Sequence, residues 1–553
     1  MHPVYSVEEV RAGERPLLEA QAHPDELMLE AAAAVADVAR EMLADRPGEG
    51  RAGRVLVLAG SGGNGGDALY AAAKLLAEGH RAEAVLLGST AHATALASFE
   101  DAGGVVVDAA RGLGGDVHDL AIDGIAGIGG SGGLRPEAAG LVSQLTTAGV
   151  PMLAVDVPSG VAADSGAVDG PHVIADRTVT FGGLRRAHVL APECGRVTLV
   201  DIGLPGHGPA PLAEQLRMLE REVSVGYVRA LRSVIDLPSL EPGERDDKYS
   251  GGVAGICAGG ADFPGAGVLA TAGAVRATSA MVRHVGPCRA EVTRALPEVV
   301  AHDDVASAGR VQAWVAGPGR GMGEAQAAEI RELAGRGEPL VLDADALTLL
   351  ADREDLRDAV AARGARGART VLTPHRGEFA RLAGSLGGAV PAVETNPIAA
   401  VVAMARTLRA TVLLKGRVTL VAAPAAADGA IAADAPVTVT AVDAETSWAA
   451  TPGSGDVLSG MLGAWLARAA AAGDPSSATP RGTDPVVVAA AIHARAAEIA
   501  ARTPAGHAPA SASLIADAVR EATAAAAHNA APRTVRYDPV VGPGLGPSAP
   551  VAQ

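Results

Sequence analysis

Short, almost unbroken apolar runs alternate along this chain with longer Ala- and Leu-rich segments. Between residues 54 and 203 the runs read "RVLVLAG", "AEAVLLG", "GVVVDA", "LAIDGIAG", "PMLAVDVPSG" and "RVTLVDIG". They lack the strict polar/apolar alternation of a half-exposed strand, so they predict strands buried on both faces of a parallel sheet. Segments such as "DALYAAAKLLAEGH" predict helices between them, and two amphipathic helices are expected near 6–20 and 25–44. From about Pro205 to Lys248 the alternation weakens; "PGHGPAPLAEQ" and "LEPGERDDKYSGG" are rich in breakers. It restarts with "GVAGICAGG", "AWVAGPG", "PLVLDADAL", "TVLTPHRGE" and "TVLLKGRVTLVAAP", then the helical "GDVLSGMLGAWLARAAAA". The expected organisation is an α/β domain over 1–225 and a second over 226–530. The Pro- and Gly-rich tail 531–553 is expected to be disordered.

Composition sharpens this picture. At 553 residues the chain is too long for one core. Apolar residues make up 48% but aromatics only 2%, so Ala, Val, Leu and Gly must build close-packed helix–sheet layers. The formal charge of -17, from 63 acidic against 46 basic residues, argues against a nucleic-acid or anionic-membrane surface. Cys194, Cys257 and Cys288 have no metal-site or C-x-x-C spacing and read as reduced core thiols. The N-terminal stretch lacks the basic start and apolar core of a signal peptide, and no run of about 20 apolar residues is present. A cytoplasmic location is therefore expected. The sequence leaves homo-oligomerisation open.

In the first half, Gly60, Gly62 and Gly65 of "GSGGNGGDAL" fit G-x-G-x-x-G. A dinucleotide-binding dehydrogenase needs an acidic residue about 20 positions further on, at the end of the second strand. "AEAVLLGST" carries none at its exit. Instead Asn64 and Asp67 stand inside the glycine loop, and Asp67 is expected on the first helical turn, kept ionised by the dipole. Asp123, Asp156 and Ser159 follow at strand ends, where parallel sheets gather ligands. Asn64, Asp123, Asp156 and Ser159 are hard oxygen donors of low total charge, suiting a monovalent cation or Mg²⁺ better than zinc. The loop Gly127–Arg135 is dense in backbone N–H groups fit for a phosphate.

These motifs, with "LAVDVPSGVAADSG", "ADRTVTFG" and "DIGLP", resemble the NAD(P)H-hydrate epimerase family over residues 5–205. The resemblance implies a Rossmann-like three-layer αβα domain in which Asn64, Asp123 and Ser159 bind K⁺. Gly63, Asn64, Gly65, Gly66 and Asp67, then Gly127, Ile128, Gly129, Gly130, Ser131, Gly132 and Gly133, would contact the hydrated nucleotide, with Asp156 as catalytic acid/base. The family usually has Asn-Asn-Gly-Gly-Asp, whereas this chain has Gly63 at the first Asn.

In the second half, Gly453, Ser454 and Gly455 of "TPGSGDVLSGMLGAWLA" precede a predicted helix. Their N–H groups and the helix dipole would form an anion hole, beside which Asp456 can act as base toward an attacking hydroxyl. "LTPHRGE" sets His375 and Glu378 at a strand end, and "LLKGRVTLV" sets Lys415 in a turn between two strands. Together these resemble the ribokinase-like ADP/ATP-dependent NAD(P)H-hydrate dehydratases over residues 230–525. The resemblance implies a ribokinase-like αβα domain with Asp456 as base. Ala266, Gly319, Gly321, His375 and Asp456 would contact the hydrate. Lys415, Gly416, Arg417, Val418, Thr419, Gly453, Ser454 and Gly455 would contact ADP or AMP, with Glu378 in a Mg²⁺ shell.

The implied function is repair of hydrated NADH and NADPH (NADHX and NADPHX). One half epimerises the R and S forms, and the other dehydrates the S form using ADP. Two other readings fit parts of the pattern: a pyridoxine- or thiazole-type vitamin kinase with an accessory Rossmann domain, and a non-catalytic nucleotide-binding scaffold.

Overall fold

A computed structural model describes residues 2–45, 52–108, 118–127, 132–206, 208–222, 228–232, 237, 240–427, 429–472 and 483–527. The tail 531–553 lies outside them. The chain divides into two compact units, Pro3–Ser224 and Val225 onward. Among the described residues no helix is long and apolar enough to cross a membrane.

The first unit is built on a seven-stranded parallel sheet. Its spatial order is Val105–Val106, Arg81–Leu86, Arg54–Ala59, Leu120–Gly124, Met152–Val155, Arg177–Phe181 and Arg196–Val200. Burial on both faces explains the unbroken apolar runs. Val55, Val57 and Ala59 join one core with Leu27, Val35 and Leu69, while Leu56 and Leu58 join another with Leu141 and Leu145. The helices Val7–Ala20 and Glu26–Ala44 form as expected; a capping box at Ser6 and Glu9 starts the first. "GVVVDA" yields only an exposed two-residue edge strand. The strand Arg177–Phe181 was not expected. Its buried Thr178 and Thr180 break the apolar run, and each satisfies its hydroxyl internally, on the Cys194 carbonyl and on Asp156.

The second unit repeats the plan. Its strands run Val300–His302, Met281–Val285, Val253–Cys257, Ala313–Ala316, Leu340–Leu342, Thr370–Leu372, Thr411–Leu414, Val418–Pro424, Val437–Asp443 and Val228–Arg232. Pairing is parallel except on both sides of Val418–Pro424. Ala254, Ile256 and Val315 face a core shared with helices Pro264–Ala277, Ser454–Ala471, Pro485–Ala501 and Ala512–Ala527. On the opposite face Trp314 lies against Gly255, and Arg336, at the end of helix Glu324–Gly335, covers its ring. Both units are three-layer α/β folds, as the apolar runs predict. In each, one inner strand, Arg54–Ala59 in the first unit and Val253–Cys257 in the second, has the next strand of the chain on one side and the third following strand on the other. The connections therefore diverge there and open a crevice at the strand carboxyl ends.

Small residues set how closely the layers approach. A Cβ at Gly460 would lie 1.7 Å from the Ala270 carbonyl oxygen, and one at Gly273 would lie 2.2 Å from that of Val457. The backbones of helices Pro264–Ala277 and Ser454–Ala471 thus touch directly. Gly460→Ala is expected to lower the stability of this unit by about 1–3 kcal/mol through overpacking. Gly265→Ala, on the exposed side with nothing within 4 Å, should not. Trp314, Trp448 and Trp465, the only three tryptophans, all lie in this unit, so the fluorescence-detected urea midpoint reads it selectively. Equal midpoints for the two variants would refute the packing argument.

Candidate active sites

In the first unit the glycine loop follows strand Arg54–Ala59 and opens helix Gly63–Ala77. Two of its fingerprint glycines are fixed by close approach. A Cβ at Gly60 would sit 1.8 Å from the Ile125 oxygen, and one at Gly65 would sit 2.2 Å from that of Gly60. Gly62 and Gly63 are exposed, and a Cβ at either would meet nothing within 4 Å. Gly66 is buried against Met28.

Asn64, Asp123 and Ser159 converge on the segment after strand Leu120–Gly124. Asn64 donates its amide to the Val155 carbonyl at 2.6 Å. Its Oδ1 faces Gly127, where a Cβ would be 2.5 Å away. Asp123 is fully buried; the Ser159 N–H and O–H donate to its two oxygens at 2.8 and 2.6 Å. Ser159 Oγ in turn accepts from the Ala126 N–H at 2.9 Å. Burial pushes the Asp123 carboxyl up to about 6, and the Ser159 and Ile125 hydrogen bonds oppose that rise. No cation is among these partners.

Asp156 follows strand Met152–Val155 in the left-handed region, with φ 64°. Such a conformation is costly for a residue with a side chain and persists where surrounding structure enforces it. Here the Asp156 N–H donates to the Val179 carbonyl, and His188 Nε2 lies 2.5 Å from the Asp156 carbonyl oxygen. Oδ1 accepts from Thr180 at 2.8 Å and pairs with the buried Arg185 at 3.1 Å. Burial raises the pKa of Glu14, which Arg185 opposes and Asp156 reinforces. Glu14 and Asp156 thus share the surroundings of one guanidinium. Asp67 departs from expectation: it lies beyond the first turn of its helix and is buried. Burial, then Asp156 and Glu14, push its pKa well above its ordinary value, against the effect expected of the dipole. Of the second loop, Gly127, Gly132 and Gly133 are described; Ile128, Gly129, Gly130 and Ser131 lie outside the described residues.

In the second unit helix Ser454–Ala471 begins at Gly453, whose φ of 84° favours glycine. The Ser454 N–H is spent on the Thr451 carbonyl at 3.2 Å, so the backbone donors at this helix head come from the residues that follow. Lys415 stands against them, with its Nζ 3.3 Å from where a Gly455 Cβ would be. It pairs with Asp343 at 2.8 Å and lies 3.8 Å from Glu378. Burial disfavours the ammonium, but Asp343 and Glu378 outweigh it and hold the Lys415 pKa above its usual value. Asp343, 1% exposed, accepts a second bond from Ser459 Oγ at 2.6 Å. Burial pushes Asp456 up to about 7; Asp343 reinforces this, Lys415 opposes it, and Asp345 and Glu378 add to it.

A cavity of about 340 Å³ opens here. Among the candidates, His375, Lys415, Gly416, Arg417, Thr419, Ser454 and Gly455 line it, with apolar Val442, Leu458, Ala490 and Ala494. Val418, Gly453 and Asp456 are not in its lining. His375 caps helix Arg376–Gly384 in a box with Glu378, its Nδ1 accepting from the Gly377 and Glu378 N–H groups. Ala266 and Gly319 lie close together beyond the carboxyl ends of strands Val253–Cys257 and Ala313–Ala316, where a Cβ at Gly319 would be 2.7 Å from that of Ala266, and the Gly321 N–H donates to Asp345 at 2.8 Å. Asp343 and His493 were missed. "VLDADAL" offers two aspartates with nothing local to choose between them, and His493 is a single polar residue inside an Ala-rich helix.

The chain matches two family models, NAD(P)H-hydrate dehydratase over residues 254–520 and YjeF-related protein N-terminus over 24–187. It is 44% identical to the bifunctional NAD(P)H-hydrate repair enzyme Nnr of Corynebacterium glutamicum, covering 95% of this chain and 99% of that protein. The chain belongs to the bifunctional NAD(P)H-hydrate repair enzyme family. Its first half is also 45% identical to an NAD(P)H-hydrate epimerase from Microbacterium testaceum, covering 36% of this chain and 78% of that one. A Bacillus subtilis ADP/ATP-dependent NAD(P)H-hydrate dehydratase co-crystallised with ATP/Mg²⁺ is 22% identical with a TM-score of 0.39, covering 51% of this chain and 93% of that one. Membership of the family spans both halves, which the vitamin-kinase and scaffold readings do not account for.

The Lys415–Asp343 pair gives a direct test of the second site's architecture. Lys415→Met strands the buried Asp343 charge and is expected to destabilise the unit by about 3 kcal/mol. Adding Asp343→Asn should recover part of that loss in the same tryptophan-detected unfolding. A double variant no more stable than Lys415→Met would show that the stranded charge is not the cause.

Proposed function

We propose that the first unit interconverts the R and S hydrates of NADH and NADPH, and that the second dehydrates the S form using ADP. The observation that carries the second half is Asp456, poised near neutrality at a helix head beside Lys415. The hydrate hydroxyl attacks the terminal phosphorus of ADP and gives its proton to Asp456; the bond from phosphorus to the AMP oxygen breaks and AMP leaves. Phosphate then departs from the ring carbon as the ring nitrogen donates its electron pair. Loss of a proton from the adjacent carbon restores NADH or NADPH. Lys415 and the helix N–H groups offset phosphate charge.

Among the described residues no three His, Cys, Asp or Glu side chains gather as a metal cluster. Mg²⁺ fits this site in its usual manner, on one carboxylate such as Glu378 and on the nucleotide's own phosphates, whose charge it screens. In the first unit the donor set fits K⁺: Asn64, Asp123 and Ser159 supply oxygens, and Asp123 is a buried carboxylate whose hydrogen-bond partners include no cation. The ion would supply that missing positive charge. Asp156 is left to move the proton during epimerisation, held by Thr180 and Arg185.

Two outcomes follow. A base must be deprotonated, so with Asp456 at about 7 the dehydratase kcat/KM should fall about tenfold per pH unit below that value and level off above it. Asp456→Asn should lose at least about 100-fold of turnover with the S hydrate on the plateau above pH 7. A flat profile, or near wild-type turnover in the variant, would refute the assignment. Asp156→Ala should stop conversion of pure R hydrate while still consuming pre-formed S hydrate with ADP, followed as recovery of NADH absorbance. Clearance of the R form well above its spontaneous rate would remove Asp156 from the mechanism.

A further inference from the structure

Ser454 and His493 form a buried pair that neither the sequence motifs nor the proposed chemistry uses together. Ser454 is the first residue of helix Ser454–Ala471, and His493 lies on helix Pro485–Ala501. Both line the 340 Å³ cavity and both side chains are buried. His493 Nε2 is 3.0 Å from Ser454 Oγ and also 3.0 Å from the Ser454 carbonyl oxygen. A carbonyl only accepts, so a contact of that length requires the proton to sit on Nε2. Nε2 therefore has no lone pair to take the Ser454 hydroxyl proton. That proton must point elsewhere, and the open side of Ser454 is the cavity.

We propose that His493 is a positioning residue for nucleotide binding, fixing the Ser454 hydroxyl as a donor to a phosphate oxygen of the adenine nucleotide. The proposal rests on the reading of this cavity as the ADP site. It also explains how Ser454 contributes to an anion hole when its own N–H is already spent on Thr451. Burial, opposed by the bond to Ser454 and reinforced by Lys415, depresses the His493 imidazole to about 4, so it is neutral at physiological pH. A neutral ring with Nε2–H is the state the argument needs.

The test measures ADP affinity of the full chain by calorimetry, alongside KM for the S hydrate. His493→Leu and Ser454→Ala should each weaken ADP about tenfold, since a hydrogen bond to a charged group is lost. The double variant should be no weaker than either single one, because both remove the same bond. His493→Gln, whose amide N–H can donate to the Ser454 carbonyl, should keep ADP affinity within about threefold of wild type, and KM for the hydrate should not move in any variant. Unchanged ADP affinity in Ser454→Ala, or additive losses in the double variant, overturns the proposal. If His493→Leu loosens the helix pair, the Gln variant decides: a loss equal to that of Leu overturns the proposal. A wild-type chain that does not bind ADP overturns the nucleotide reading itself, a result distinct from wild-type binding with an unaffected Ser454→Ala.

Discussion

Parallel strands buried on both faces strongly favour apolar residues along their length, so most polar chemistry is pushed toward their ends. In each unit the connections leaving two neighbouring inner strands diverge at those ends, and the backbone there must turn within very little space. The glycines follow from that requirement. Gly60 and Gly65 let the first loop press against Ile125, while Gly460 and Gly273 let the helix that carries Asp456 lie on its neighbour. A side chain at any of the four would displace the elements that hold Asn64, Asp123 or Asp456. The Ala- and Gly-rich composition is thus a condition for the sites as well as for the cores.

What was legible in the sequence is what local backbone chemistry dictates. Unbroken apolar runs announced buried strands, breakers announced the change of unit, and the Gly-Ser-Gly-Asp string announced a helix head. Less legible were features set by residues far apart in the chain. The strand Arg177–Phe181 was hidden because its two buried threonines are satisfied by partners 16 and 24 residues away. Asp67 reads as an exposed first-turn carboxylate, yet it is buried, and burial, reinforced by Asp156 and Glu14, raises its pKa. Asp343 and Lys415 are 72 residues apart, and His493 and Ser454 are 39 apart. No periodicity or spacing rule encodes such pairs, because they arise only when the sheet brings separate strand ends and helices together.

The two sites handle buried charge in opposite ways. Around Asp123 the protein supplies hydrogen-bond donors and no cation among its partners, so burial dominates and the carboxyl rises to about 6. That is an arrangement the proposed monovalent ion would complete. Around Asp343 the protein supplies its own cation, Lys415, and the pair is held further by Ser459 and approached by Glu378. Asp456 feels both sides of that pair: Asp343 raises its pKa, Lys415 lowers it, and burial tips the sum upward. With both present, Asp456 sits near 7, where a carboxylate is at once substantially ionised and basic enough to take a hydroxyl proton in the transition state. The ion pair would thus tune the proposed base without being part of the proton transfer.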